Sequence, residues 1–393
     1  MYQIRTYNKI SEKGLAHFDD TQYEVSETLA EPDAILLRSH KLHNEVLPES
    51  VKAVARAGAG VNNVPVAEYT KKGIVVFNTP GANANAVKEL VLAGMLLSSR
   101  GIISGREYVN TLGHMTDAAE MSVLLEKEKK NFAGSELTGK ALGIVGLGAI
   151  GSMVANTALA LGMEVYGYDP ALSVEAAWRL SSSVHRMESL QSLLSKVDYL
   201  SLHVPAIPQT QHLINKETLK AMHKDAVILN FARDAIVDQL AVADALDAGE
   251  LRQYVCDFPE PRLINHPKVI ALPHIGASTL EAEENCAVMA VNQLRDYLEN
   301  GNIKNSVNFP ETAMPRAGSG CRLTFTNENV SGVLGHVLSI CAEHDVNVVD
   351  MVNKSRDNVA YNILDFADKP SDTVIDAIRC TDHVISLRVL CAR

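Results

Sequence analysis

A chain of 393 residues exceeds the size at which one hydrophobic core stops growing, roughly 250 to 300 residues, so two or three domains are expected. With 47% hydrophobic and 21% charged residues the composition is that of an ordinary globular protein, and no run approaches the ~20 apolar residues of a membrane span. A net charge of −11 argues against a nucleic-acid backbone as the main partner, because that needs clustered Lys and Arg.

The first residues, MYQIRTYNKI, lack the basic segment and long apolar region of a secretory signal, so a cytoplasmic location is expected. Ala34 to Ser39 (AILLRS), Val51 to Ala57 (VKAVARA) and Ile74 to Asn78 (IVVFN) are compact apolar runs ending in breakers, as buried parallel strands are. TPGANAN (79 to 85) is a loop, and Val87 to Ser99 a strongly apolar helix. Residues 105 to 134, with EKEKK, form a solvated surface helix or arm. From Leu142 onward, LGIVG, MEVYGYD, YLSLHVP, AVILNFA and VIALPH alternate with helical stretches, the pattern of a parallel doubly wound sheet. After Gly276, Ser278 and Glu281 have the spacing of a capping box, and Ala282, Cys286, Ala290 and Leu294 recur near helical period up to residues 299–301. A linker containing Pro310, Pro315, Gly318 and Gly320 follows. Beyond it, CRLTFTN, the helical VSGVLGHVLSICAEHD, and the strands NVVDMVNKS, VAYNILDF and VISLRVL give a ferredoxin-like βαββαβ order. The six cysteines are scattered, with no C-x-x-C pair, so all are expected to be reduced and structural, with no metal site.

Gly146-Leu147-Gly148-Ala149-Ile150-Gly151 is a G-x-G-x-x-G turn after the strand ALGIV and before a helix expected from about Ile150 to Leu161. Its glycines Gly146, Gly148 and Gly151 allow a tight turn and close approach of a pyrophosphate to the helix N-terminus. The next strand ends at Asp169, whose carboxylate suits the ribose hydroxyls and repels a 2′-phosphate, so the cofactor is NAD rather than NADP. His274 and Arg233 both stand just after strands, where open α/β sheets bind ligands. An imidazole is suited to proton removal because its pKa of about 6.5 lies near the medium's pH. Asp257 and Glu260 are both upstream of His274, and the spacing leaves open which is its carboxylate partner. His203, also at a strand end, is placed beside the cofactor; His17, His43, His185 and His266 are given no role.

GLGAIG with YDP, LHVP, NFARDAIVD and PHIGAST occur in the order seen in the D-isomer-specific 2-hydroxyacid dehydrogenases, which residues 1 to about 308 resemble. RAGAGVNNV and NTPGANANAVKEL are similar to the branch acting on 3-phosphoglycerate, and the tail from Cys321 resembles an ACT regulatory domain. The resemblance implies two doubly wound parallel-sheet domains of Rossmann and flavodoxin type plus a ferredoxin-like ACT domain. The corresponding boundaries are a substrate-binding domain at 1–97 and 282–308, an NAD-binding domain at 98–281, a linker at 309–319 and an ACT domain at 320–393. It further implies Arg233, Glu260 and His274 as the catalytic set. NAD contacts would come from Ala149, Ile150, Asp169, Ala232, Asp257, Gly276 and Ala277, and substrate contacts from Arg38, Arg56, Asn83, Arg233 and His274. Asn329 and Asn347 would meet an L-serine effector, and the assembly would be a homodimer or homotetramer. A glyoxylate or hydroxypyruvate reductase and a non-catalytic NAD sensor are the competing readings. Three positions depart from the family pattern: Asp234 replaces the glycine after the arginine, CDFPEP shortens the loop ahead of Glu260, and Asn327 replaces the usual effector-site histidine.

Overall fold

The computed structural model describes residues 1–316 and 320–391. Two compact units divide the chain, one made of Met1–Asn83 with Leu280–Arg393, the other of Ala84–Thr279. The first unit opens with β1 (Tyr2–Tyr7), α1 (Glu12–Leu15), β2 (Tyr23–Ser26), β3 (Ala34–Leu37), β4 (Ala53–Arg56), α2 (Val66–Lys71) and β5 (Val75–Phe77). The strands form a parallel sheet in the order β2-β1-β3-β4-β5, a doubly wound arrangement. All four residues of β3 are buried, which is why the strand reads as an unbroken apolar run. In β1 polar and apolar residues interleave, so no such run announces it.

The second unit begins with α3 (Ala84–Ser99), α4 (Ile102–Thr111) and α5 (Ala118–Glu128). From sequence, the boundary was expected at 97/98, a point inside α3; the units divide at 83/84 instead, which puts the whole helix in the second unit. The helix packs on this unit's sheet, and a Cβ at Gly94 would lie 2.9 Å from Leu229 and 3.1 Å from Phe231. Neither α4 nor α5 has a buried residue, as expected of a solvated arm. There follow β6 (Ala141–Val145), α6 (Ala149–Ala160), β7 (Glu164–Tyr168), α7 (Val174–Arg179), β8 (His185–Arg186), α8 (Leu190–Leu194), β9 (Tyr199–Leu202), α9 (Lys216–Leu219), β10 (Val227–Asn230), α10 (Gln239–Ala248), β11 (Gln253–Cys256) and β12 (Val269–Ala271). All seven strands are parallel in the order β12-β11-β10-β9-β6-β7-β8. The order reverses between β6 and β9, which puts the glycine turn after β6 at the switch point where such sheets bind ligands.

The chain then returns to the first unit through α11 (Leu280–Asn300), which starts one residue later than a cap at Ser278 would give. Next come β13 (Cys321–Glu328), α12 (Val333–Glu343), β14 (Val348–Arg356), β15 (Val359–Phe366), α13 (Asp372–Arg379) and β16 (Val384–Cys391), an antiparallel sheet ordered β14-β15-β13-β16. Every residue of β15 is buried because its two faces serve different cores. Val359, Tyr361 and Ile363 join Phe77, Tyr297 and Phe309 in the first unit, whereas Leu364 and Phe366 pack with α12 and α13. Residues 320–391 form their own antiparallel sheet and group with the first unit; residues 317–319 of the expected linker, and 392–393, lie outside the described residues.

The cysteines correct one expectation. Cys321 and Cys391 form a disulfide, because the first and last strands of this sheet pair in a register that sets them opposite each other, Cα atoms 4.1 Å apart. Their separation of 70 residues hides the pairing in the sequence. Cys256, Cys286 and Cys341 are buried free thiols, and Cys380 is an exposed one. Among the described residues no helix is long and apolar enough to cross a membrane.

Candidate active site

The turn after β6 is built for close backbone approach. Gly146 has φ +89°, and a Cβ there would come within 2.5 Å of the His203 carbonyl. Gly151 faces the Gly146 carbonyl so tightly that a Cβ would sit 2.0 Å from it, whereas the space beside Gly148 is open. Gly148 is the N-cap of α6 and offers no side chain to the helix, so the first N–H groups, from Ala149, Ile150 and Gly151, are presented outward with the positive end of the helix dipole. An anion fits that position. Asp169, after β7, accepts from Leu147 N–H at 2.8 Å and from Ala171 N–H at 2.9 Å, which ties its carboxylate to the turn. Each oxygen keeps a lone pair for a hydroxyl donor. These residues fit a dinucleotide.

At the ends of β9 to β12 the remaining polar groups gather. His203 is joined to Ser201 Oγ at 2.8 Å through Nε2, and burial pushes its imidazole down to about 4, so it is neutral near pH 7. Arg233 is held in extended backbone by Asn230, whose amide donates to the Arg233 carbonyl at 2.9 Å and accepts from Ala232 N–H at 3.2 Å. Its Nη1 donates to the Ala232 carbonyl at 2.6 Å. Asp257 is 2% exposed. Its Oδ2 accepts from Gly276 N–H at 3.2 Å, while Oδ1 is buried with no partner among the described residues. Burial lifts this carboxyl above its ordinary range, opposed by the Gly276 N–H and by the charges of His274 and Arg233. His274 N–H donates to the Asp257 carbonyl at 3.0 Å, and its ring lies 4.3 Å from that of Phe258.

Glu260 is exposed, and no hydrogen bond or ion pair joins it to His274; the carboxylate in electrostatic reach of both His274 and Arg233 is Asp257. The loop carrying Glu260 is nonetheless anchored. Gln239, 3% exposed at the start of α10, donates to the Phe258 carbonyl at 2.8 Å and accepts from Glu260 N–H at 2.9 Å. Asn230 and Gln239 were not foreseen. The only signal was a polar residue at a strand end and another at a helix start, which ordinary caps also produce.

In the first unit, Arg38 and Arg56 stand at the ends of β3 and β4, and the Nε of Arg56 donates to the Arg38 carbonyl at 3.0 Å. Arg38 pairs with Glu283 at 2.7 Å, both about 40% exposed, so an incoming anion competes with that carboxylate. Asn83 closes the first segment of this unit and is half-buried. The two amides assigned to an effector are not brought together. Asn329 follows β13 and donates to the Asp357 carbonyl at the β14–β15 turn, whereas exposed Asn347 precedes β14 at the far end of the sheet. With β14 spanning nine residues, they are on the order of 25 Å apart, and one small effector does not bridge them within a chain.

Residues 92–276 match the NAD-binding domain of the D-isomer-specific 2-hydroxyacid dehydrogenases. A D-3-phosphoglycerate dehydrogenase of Haemophilus influenzae is 32% identical over 93% of this chain and 88% of its own length. One of Methanocaldococcus jannaschii is 33% identical over 84% of this chain, which spans only 62% of that relative. Among solved structures, NAD+-bound 3-phosphoglycerate dehydrogenase of Entamoeba histolytica is 26% identical with a TM-score of 0.61, covering 78% of this chain and 98% of that one.

Proposed function

Since the chain belongs to the D-isomer-specific 2-hydroxyacid dehydrogenase family, we propose that it oxidises 3-phospho-D-glycerate to 3-phosphohydroxypyruvate, the opening step of phosphorylated L-serine synthesis. The observation that carries the reading is that Arg233 follows β10 and that His274, whose N–H donates to the Asp257 carbonyl, follows β12, both at strand ends of the seven-stranded parallel sheet. NAD, which the turn from Gly146 to Gly151 and Asp169 would hold, would supply a hydride acceptor for C2. His274 takes the C2 hydroxyl proton, and Arg233 holds the carboxylate and offsets charge on the C2 oxygen. The buried, unpaired Oδ1 of Asp257 suits a donor such as the nicotinamide amide, which supports reading this carboxylate as a cofactor contact, with Glu260 as the proposed partner of the imidazole. Arg38 and Arg56 supply the guanidinium pair for the phosphate, a geometry that favours Arg over Lys. An L-serine effector contacting both Asn329 and Asn347 would need two copies of the chain, in keeping with a homodimer or homotetramer.

Initial rates with NAD on 3-phosphoglycerate and on glycerate test the assignment. A strong preference for the phosphorylated acid is expected, and His274→Ala should lower kcat at least ~100-fold while NAD affinity changes little. Equal rates on the two acids would remove the phosphate assignment and favour a glyoxylate or hydroxypyruvate reductase. Absence of turnover on any 2-hydroxy acid would make the chain a sensor.

A further inference from the structure

α11 buries one side in the core of the first unit through Cys286, Ala287, Ala290, Val291, Leu294 and Leu298. Its adjoining stripe, Asn285, Val288, Met289, Asn292 and Gln293, lines a cavity of about 600 Å³ instead. The opposite wall comes from Gly81, at φ +79°, and Asn305, at φ +55°, so two left-handed turns shape it. Gln293 is only 7% exposed, yet neither its amide nitrogen nor its amide oxygen has a partner among the described residues. A buried carboxamide whose donor and acceptor find no partner in the protein is costly, and it suits a ligand that can satisfy both groups at once.

The charges around the cavity are already committed. Asp296 Oδ1 accepts from Asn300 at 3.1 Å and Asn302 at 2.8 Å, and its Oδ2 pairs with Lys304 at 3.4 Å. What is left is neutral: the side-chain amides of Asn285, Gln293 and Asn305 make no hydrogen bond among the described residues, and Val288 and Met289 supply a small apolar patch. From this arrangement we propose a second ligand site, separate from the proposed dehydrogenase chemistry, for a small uncharged molecule bearing hydroxyls or a primary amide, which can donate to and accept from Gln293 at once. A volume of this size is ample for a monosaccharide or smaller compound.

The test follows the Met289 methyl resonance in the full-length protein labelled with 13C-methyl methionine. One titration series uses glucose and myo-inositol, the other acetamide and lactamide, with inorganic phosphate and glutamate as charged controls. A saturable shift with one series and none with the charged probes is expected, and the responding series tells a polyol from an amide. Gln293→Leu, which keeps a helix-forming side chain of similar length, should weaken binding at least 10-fold without lowering the melting temperature. Asn285→Leu, on the exposed wall, should weaken it less. No saturable shift with any uncharged probe, a response to the charged probes, or unaltered affinity in both variants would each overturn the proposal.

Discussion

Asp257 concentrates the conflict between stability and function at the scale of one residue. Its carboxyl is raised by burial, so the folded state binds the proton more tightly than the unfolded state does. Stability from this group is therefore fully present below the ordinary carboxylate range and is lost as pH rises through the raised value. Asp257→Asn should accordingly melt at a higher temperature than the parent at pH 7, with the gain shrinking as pH falls into the ordinary carboxylate range. The same variant should bind NAD more weakly if Oδ1 accepts from the cofactor amide. Melting curves from pH 4 to 8 and an NAD titration check both halves; a constant melting difference across that range would mean that the charge of Asp257 is not what the substitution relieves. Gln239 needs the complementary treatment, because it acts through the loop it holds. Replacing it with Leu leaves the Phe258 carbonyl and Glu260 N–H without their partner.

At the scale of the element, α11 shows how a helix end is stabilised by residues that no local pattern reveals. The last carbonyls of a helix have no acceptor role within it. Here Tyr297 and Leu298 receive Arg388, Glu299 receives Arg316, and Asn300 receives Arg322, at distances from 2.9 to 3.2 Å. Three guanidinium groups thus meet the negative end of the helix dipole. Arg388 also lies 4.3 Å over the Tyr297 ring, and Arg322 engages Asp365 with both Nε and Nη2, at 2.6 and 2.7 Å. Arg388→Met should destabilise by about 2 to 4 kcal/mol in urea unfolding, from lost charged hydrogen bonds and the ring contact. Arg356→Met, at an exposed arginine, should stay within about 0.5 kcal/mol of the parent. Such caps were invisible in the sequence because the partners are 17 to 91 residues apart. Gly146, Asp169, Arg233 and His274 were legible for the opposite reason: a glycine turn or a polar residue directly after an apolar strand states its own position. Asn230 and Gln239 lie between these cases, since their residue types are visible but the loops they clamp are not.

For the molecule as a whole, strands could be anticipated wherever they were buried on both faces, as β3 and β10 are, and the βαββαβ succession was readable from alternation alone. What alternation does not tell is which core receives each face. β15 divides its side chains between the helices α12 and α13 and the core that holds Phe77, Tyr297 and Phe309, so the last segment of the chain completes the first unit. Val359, Tyr361 and Ile363 are at most 3% exposed, and burying each is worth about 1.5 to 3 kcal/mol. Together with the arginine caps, that sum is comparable to the ~5 to 15 kcal/mol by which a domain is stable at all. A chain ending after Pro310 should therefore lose the cooperative fold of its first unit. Hydrogen exchange would show β1 to β5 losing protection, while β6 to β12, whose cores lie wholly within residues 84–279, keep theirs and continue to bind NAD. Unchanged protection in β1 to β5 would instead show that the five-stranded sheet closes its core unaided, and that the contacts made by β15 and Arg388 add rigidity to a unit already stable without them.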